Sequence, residues 1–382
     1  MKTVRTVVAG AGFIGPVHIE SIRRAVGVEV VALFHHVEKE LQAKAEAWGI
    51  PQGYADFEKM IAEEDFDCIH ICTPNNLHFP MAKAALLAGK HVVCEKPLAT
   101  TVEEAKELVS LAKRHNRVHA VNFNLRYYPL IRQMKRMREK GELGNVYAVV
   151  GSYLQDWLFY ATDYNWRLEP DKSGDSKAIA DIGSHLIDLI EYITGLSIIQ
   201  VMADFSTIHK TRKKPLKPVA TYSGKLLAPA DYQDVPIVTE DYASVLLRFN
   251  NGSKGVVTVS QVAAGRKNRC SLEISGANQT LSWNSENPND LWIGKRDEPN
   301  TLMIRDPALV DPDVRNIISY PGGHNEGFGD TSKQLFKEIY EAVRADAPPP
   351  NPSYPTFEDG LRELILCDKI VESHRTQEWV TV

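Results

Sequence analysis

The chain of 382 residues carries 44 Lys and Arg against 49 Asp and Glu, a formal net charge of −5, with 43% hydrophobic and 24% charged residues. Its length predicts two to three domains of about 150 residues each, and the near-neutral balance excludes a dedicated nucleic-acid binder, whose domain would carry a strong basic excess. Five cysteines with no C-x-x-C pair exclude a disulfide framework and fit a reducing cytoplasm, and no apolar run approaches the ~18 residues of a membrane helix.

The first apolar run, Val4 to Ala9, ends in Gly10-Ala11-Gly12-Phe13-Ile14-Gly15. Lys2 and Arg5 before it give the start the look of a signal peptide, but three glycines would break the helical core such a peptide needs. Their spacing, G-x-G-x-x-G between a strand and a helix, is instead that of a dinucleotide turn. Gly10 serves the tight turn, Gly12 the close approach of backbone to pyrophosphate, and Gly15 the packing of helix on strand. The helix that follows offers free N–H groups to the phosphates. Val28 to Phe34 is the second strand. At its end a carboxylate would accept the ribose 2′-hydroxyl and select NAD; His35 and His36 stand there instead. With neither a carboxylate to repel a 2′-phosphate nor an arginine to bind one, NAD and NADP both stay open.

Asp67 to Thr73, His91 to Cys94 and Val118 to Phe123 continue the series as buried strands. Helices such as Ala82 to Ala88 and Thr101 to His115 lie between them, the latter opening on a capping box of Thr101 and Glu104. Strands alternating with helices predict a doubly wound parallel sheet. Beyond Phe123 the pattern changes. Val146 to Leu154, Tyr242 to Phe249, Gly255 to Val262, Cys270 to Ser275, Thr280 to Trp283 and Leu291 to Ile293 are closely spaced strands, with a hairpin at Asn250-Asn251-Gly252. They predict an α+β domain on a largely antiparallel sheet. His209 to Pro218, with five Lys and Arg, reads as a solvated loop, and the apolar positions from Phe328 to Val343 and from Phe357 to Ile365 as the core faces of two late helices. The predicted boundaries are 1–124 for a dinucleotide domain and 125–382 for an α+β domain.

Two further strand ends carry Thr73-Pro74-Asn75-Asn76-Leu77-His78 and Glu95-Lys96-Pro97, and a later helix carries Asp181-Ile182-Gly183-Ser184-His185. With the glycine turn, these motifs in this order resemble the Gfo/Idh/MocA family of glucose-fructose oxidoreductase and inositol dehydrogenase relatives, over essentially the whole chain. The resemblance implies a Rossmann domain followed by an α+β domain whose open sheet makes oligomer contacts, in a homodimer or homotetramer. It implies NAD(P)-dependent hydride transfer at a carbinol carbon of a sugar, cyclic polyol or glycoside. Lys96 matches the lysine that contacts the reacting hydroxyl, before a proline whose peptide bond is cis in many relatives; Asp181 and His185 match the catalytic aspartate and histidine. Gly10, Gly12, Phe13, Ile14 and Gly15 match the phosphate turn, and Thr73, Pro74, Asn75, His78, Glu95 and Pro97 the walls along the cofactor, with His35 at the ribose. One departure is Ser173-Gly174-Asp175-Ser176-Lys177, where many relatives are glycine-rich.

The residues themselves support the same chemistry. Ligands of doubly wound sheets bind beyond the carboxyl ends of the strands, where these motifs fall, and hydride transfer from a carbinol needs a base for the hydroxyl proton. Asp181 and His185, four apart on one helix face, supply a carboxylate and an imidazole, His185 as the main acid/base, Lys96 assisting and Asp181 orienting. D-x-x-x-H also has the spacing of a zinc pair, but no third ligand follows nearby, so no metal is expected. Trp166, Arg167 and His324, with Tyr153 and Arg126, are the expected sugar contacts. Two rival readings are a glycoside hydrolase that uses NAD transiently and a non-catalytic NAD(P) or sugar sensor; the latter needs no Lys96, Asp181 and His185.

Overall fold

The computed structural model describes residues 2–217 and 227–382. They form two compact units: 1–124 with 328–364, and 125–327 with 365–382. In the first, six short strands, β1 (Val4–Ala9), β2 (Val28–Phe34), β3 (Gln52–Tyr54), β4 (Cys68–Ile71), β5 (His91–Cys94) and β6 (His119–Val121), pair in parallel in the order β3-β2-β1-β4-β5-β6. β4, β5 and β6 are buried along their whole length, which is why they read as unbroken apolar runs rather than alternating ones. The strand order reverses between β1 and β4, so the switch-point crevice of a Rossmann sheet opens between the loops after these two strands.

Local chemistry fixes the pieces. Thr101 caps the helix Val102–Arg114 and Glu104 reaches back to the Thr101 N–H, the capping box expected there. Phe328–Arg344, placed by sequence order with the second domain, packs on the helix Ile14–Arg23 and on β1 in the first unit. Its apolar stripe, Leu335, Phe336, Ile339 and Val343, is buried.

Among its described residues the second unit has eleven strands: β7 (Val146–Leu154), β8 (Ile198–Ser206), β9 (Thr211–Pro215), β10 (Tyr232–Pro236), β11 (Tyr242–Phe249), β12 (Lys254–Ser260), β13 (Arg269–Gly276), β14 (Thr280–Asn284), β15 (Asp290–Gly294), β16 (Thr301–Ile304) and β17 (Val380–Thr381). Nine form one sheet, β16-β15-β14-β13-β7-β12-β11-β8-β17, antiparallel except where β12 runs beside β7. β11 and β12 are joined by the expected hairpin, with Gly252 at φ +89° and Ser253 bonded to the Asn251 side chain. One face is covered by the helix Ser184–Thr194, which approaches closely enough that a Cβ on Gly151 would lie 3.1 Å from Leu186. The other face presents one row in register across eight strands, Leu302, Trp292, Ser282, Glu273, Val150, Val256, Leu246 and Met202.

The basic segment is not a solvated loop. Thr211–Pro215 is a strand paired with β10 in a two-stranded ribbon, and Arg212 is wholly buried. Period-two alternation turns Lys213 to water while aiming Arg212 inward, onto Asp241 and the carbonyls of Leu158, Tyr160 and Asp163. Pro218 lies outside the described residues. Among the described residues no helix is long and apolar enough to cross a membrane.

Candidate active site

The first unit's share begins at the glycine turn. Gly10 has φ +108°, and a Cβ there would meet the Cys72 carbonyl oxygen at 2.6 Å. A Cβ on Gly15 would fall 2.1 Å from the Gly10 oxygen, so both positions exclude any side chain. Above Gly12 nothing lies within 4 Å, leaving the open approach a pyrophosphate requires. The helix Ile14–Arg23 starts directly after it. These residues fit a dinucleotide phosphate: a close turn, an unobstructed backbone, and a helix N-terminus facing the gap.

The motifs after β4 and β5 are tied to each other. His78 is fully buried, with Nδ1 2.7 Å from the Pro97 carbonyl and Nε2 3.0 Å from the Thr73 carbonyl. Its ring is thus a strut between the two motifs rather than an exposed ligand-facing group. The Lys96–Pro97 peptide bond is cis. Beneath this turn the Glu95 carboxylate accepts from the Lys96 N–H at 3.2 Å, from Asn122 Nδ2 at 2.5 Å and from His18 Nε2 at 2.8 Å. His18 Nδ1 lies 2.9 Å from His70 Nδ1, and His70 Nε2 2.7 Å from the Tyr340 hydroxyl, which takes a bond from Thr6 Oγ1. One direction satisfies every atom with both rings neutral: Thr6 to Tyr340 to His70 to His18 to Glu95, the last acceptor being a carboxylate. Despite burial, which opposes its charge, the hydrogen bond from His18 holds the Glu95 carboxyl down to about 2.

Burial, first among the causes, pushes His70, His78, His91 and His119 below the ordinary imidazole value. An unfolded chain therefore binds protons that the folded unit refuses as pH falls through about 6.5. Stability should be level above about pH 7 and decline from there toward pH 5, with the depressed Glu95 adding a further loss only below about 4.5. Thermal unfolding followed from pH 8 to 5 checks this; a midpoint unmoved down to pH 5 would contradict it.

In the second unit the D-x-x-x-H segment is not one regular α-helix. Ile179–Gly183 is a π-helical turn leading into Ser184–Thr194, with the Ser184 N–H bonded to the Ile179 carbonyl five residues back. Such wide turns recur at functional sites, and this one carries Asp181. One Asp181 oxygen accepts from Arg167 Nε at 3.2 Å and the other from Gln261 Nε2 at 2.9 Å. The Arg167 guanidinium lies 4.6 Å from the centre of the Trp166 ring. His185 faces the buried ring of Tyr153, centroids 6.4 Å apart, and burial pushes the Tyr153 hydroxyl well above its ordinary value. Trp166, Arg167 and Asp181 thus come together, as do Tyr153 and His185.

Arg126 grips Asp188 through Nε at 2.9 Å and through Nη2, with Tyr192 against its guanidinium. His324 lies on an exposed loop whose carbonyls at 320, 321 and 324 are held from below by buried Arg305, itself 3.1 Å from Glu326.

The π turn is clamped at its start. Glu240 Oε1 accepts from Ser176 Oγ at 2.9 Å and from the N–H groups of Lys177 at 3.0 Å and Ile179 at 2.9 Å, donors that no helical carbonyl could serve. Its neighbour Asp241 faces the fully buried ammonium of Lys177 and guanidinium of Arg212. Glu240, Asp241, Gln261 and His18 escaped sequence reasoning: each acts on a partner 61 to 80 residues away, and only the run Glu240-Asp241 before a strand hinted at buried charge. Among the described residues no group of three or more His, Cys, Asp or Glu is placed to hold a metal ion.

Residues 4–123 match the oxidoreductase family with the NAD-binding Rossmann fold, and residues 131–282 the GFO/IDH/MocA C-terminal domain. The chain is 30% identical to levoglucosan dehydrogenase of Pseudarthrobacter phenanthrenivorans, covering 100% of this chain and 99% of that protein. It is 25% identical to D-apiose dehydrogenase of Paraburkholderia graminis, over 81% and 75% of the two chains. Among solved structures, levoglucosan dehydrogenase in complex with NADH and levoglucosan matches with a TM-score of 0.87 at 28% identity over 99% of both chains. An inositol dehydrogenase homologue complexed with NAD+ from Azotobacter vinelandii matches at 0.84 and 25% identity, over 100% of this chain and 98% of that one.

Proposed function

Because the chain belongs to the Gfo/Idh/MocA oxidoreductase family, we propose that it moves hydride between NAD and a secondary hydroxyl of a sugar, anhydrosugar or cyclic polyol. The observation that carries this reading is the placing of Lys96 at the carboxyl end of β5, tied to the Thr73 segment through His78, in a sheet whose glycine turn admits a pyrophosphate. A bound nicotinamide supplies the hydride acceptor; the chain must handle the hydroxyl proton and the charge on oxygen. His185 takes that proton on an imidazole nitrogen beside the Tyr153 ring. Asp181, its two oxygens fixed by Arg167 and Gln261, keeps a negative charge one helical turn away, where it favours the imidazolium formed. Lys96 offers a cationic donor to the substrate oxygen. The Trp166 ring with Arg167 across its face offers an apolar plane edged by donors, suited to a sugar ring.

Two finer points belong to the same proposal. The uncovered row from Leu302 to Met202 mixes apolar and polar residues, with Val150, Leu246, Trp292 and Leu302 exposed; a second copy would cover it in a homodimer or homotetramer, and sedimentation of a monomer at micromolar concentration would overturn that. A cytoplasmic place agrees with five cysteines that are all buried. The activity is tested by absorbance at 340 nm with NAD or NADP across anhydrosugars, aldoses, inositols and glycosides. Growth of reduced nicotinamide with one of them is the expected result. Product without net reduced cofactor would replace the reading with a transiently oxidising hydrolase, and ligand binding without product with a sensor.

A further inference from the structure

The adenosine ribose of a dinucleotide bound to a sheet of this order lies at the carboxyl end of the second strand, beside the glycine turn. Here β2 ends at Phe34 and continues into His35 and His36, without an acid. The fold nevertheless delivers one. Glu40, in the first turn of the helix Glu38–Ala47, has Oε2 3.3 Å from His35 Nε2 and 3.4 Å from Lys44 Nζ. The same Lys44 ammonium donates to the Ala11 carbonyl at 3.3 Å, inside the glycine turn itself. A carboxylate is therefore strapped between the end of β2 and the phosphate turn, where the ribose hydroxyls of a bound dinucleotide belong.

We propose that Glu40 is the residue that selects NAD over NADP in this chain, its carboxylate accepting from the ribose 2′-hydroxyl and repelling a 2′-phosphate. The assignment rests on the dinucleotide reading above. The surrounding charges favour it. The bond from His35 and then the one from Lys44 keep the Glu40 carboxyl below its ordinary value, so it is ionised at neutral pH. Burial keeps the His35 imidazole below its ordinary value, so at neutral pH that ring adds a neutral donor and no charge for a phosphate. Lys44 is the one ammonium these contacts bring to the strap, and it is already shared between Glu40 and Ala11. Removing the Glu40 charge would release it toward a phosphate, so a single substitution should both weaken one cofactor and strengthen the other.

Glu40 is more than half exposed, and its replacement leaves the sheet intact. The test is a fluorescence titration of the full-length protein with NADH and with NADPH, with no sugar present. Wild type is expected to bind NADH at least about tenfold more tightly, the worth of one hydrogen bond to a charged group. Glu40→Gln should shrink the ratio by about tenfold, mostly through tighter NADPH, and Glu40→Arg should invert it. A wild-type preference for NADPH, or a ratio that Glu40→Gln leaves unmoved, would overturn the assignment while leaving the dinucleotide reading in place. Failure of wild type to bind either nucleotide would overturn both.

Discussion

Lys96→Met should lose about 10² to 10⁴ of turnover, the range a positioned proton-handling group supplies, while its affinity for NADH stays within about threefold of wild type. Methionine keeps the length and the apolar stem of lysine, so packing after β5 is preserved and only the ammonium is lost. The backbone at this point is held independently of that ammonium. The Lys96 N–H bonds to Glu95, Glu95 is anchored by His18 and Asn122, and the Pro97 carbonyl is anchored by His78. The glycine turn proposed for the phosphates is separate in sequence. The expected signature is therefore a fall in kcat at nearly constant cofactor affinity and melting temperature, measured by steady-state absorbance at 340 nm and by nucleotide titration. Turnover within a few-fold of wild type would remove Lys96 from the chemistry. A parallel loss of nucleotide affinity would make it a cofactor-binding residue instead. His185→Ala, by the same logic, should be rescued in part by added imidazole, which no purely structural histidine would allow.

Much of this was legible in the residues, and the division follows the range of the interactions. The glycine turn, the capping box at Thr101 and the hairpin at Asn250-Asn251-Gly252 are settled by neighbours within a few positions, and sequence pattern reports such terms directly. The buried strands of the first unit announce themselves because both faces are covered. What escaped reading is long-range and polar. His18 sits midway in a helix and His70 inside a strand, and nothing near either in sequence says that the two rings meet each other and Glu95. The run from His209 to Pro218 has the composition of a solvated loop, yet strand periodicity drives Arg212 alone into the interior. Asp181 was legible as a carboxylate at helical spacing from His185, but the π turn beneath it was not, since its cause, Glu240 on the N–H groups of Lys177 and Ile179, lies some 60 residues on. The acid missing after β2 shows the same limit from the other side: the position next to the strand is empty of carboxylate, and the helix that follows returns one to the place.

The largest effect on stability should come from Asp241→Asn. Asp241, Lys177 and Arg212 have no exposed side-chain surface, and Asp241 compensates two cations at once. Its Oδ1 accepts from Lys177 and from Arg212 at 2.8 Å, and its Oδ2 from the N–H groups of Ile208 and His209 at 2.9 and 3.1 Å. Burial works against the carboxylate, but the two cations outweigh it and hold Asp241 below its ordinary value. Asparagine keeps the shape and removes the charge, leaving an ammonium and a guanidinium side by side in a dry interior. Breaking a buried pair from one side costs about 3–5 kcal/mol, so the denaturation midpoint of the second unit should fall steeply while the first unit unfolds as before. Arg212→Met added to Asp241→Asn removes one of the stranded cations and should recover part of the loss. That recovery separates electrostatics from mere disturbance of packing, since two independent packing defects would add. The site should register the change as well. Glu240 is covalently next to Asp241 and holds the N–H groups that open the π turn, so a slackened Asp241 lets Asp181 drift from Arg167 and Gln261. Activity in the folded fraction of Asp241→Asn should therefore fall through kcat with nucleotide affinity unchanged. A variant that unfolds at the wild-type midpoint would mean that the two cations find other partners and that Asp241 is not what holds them.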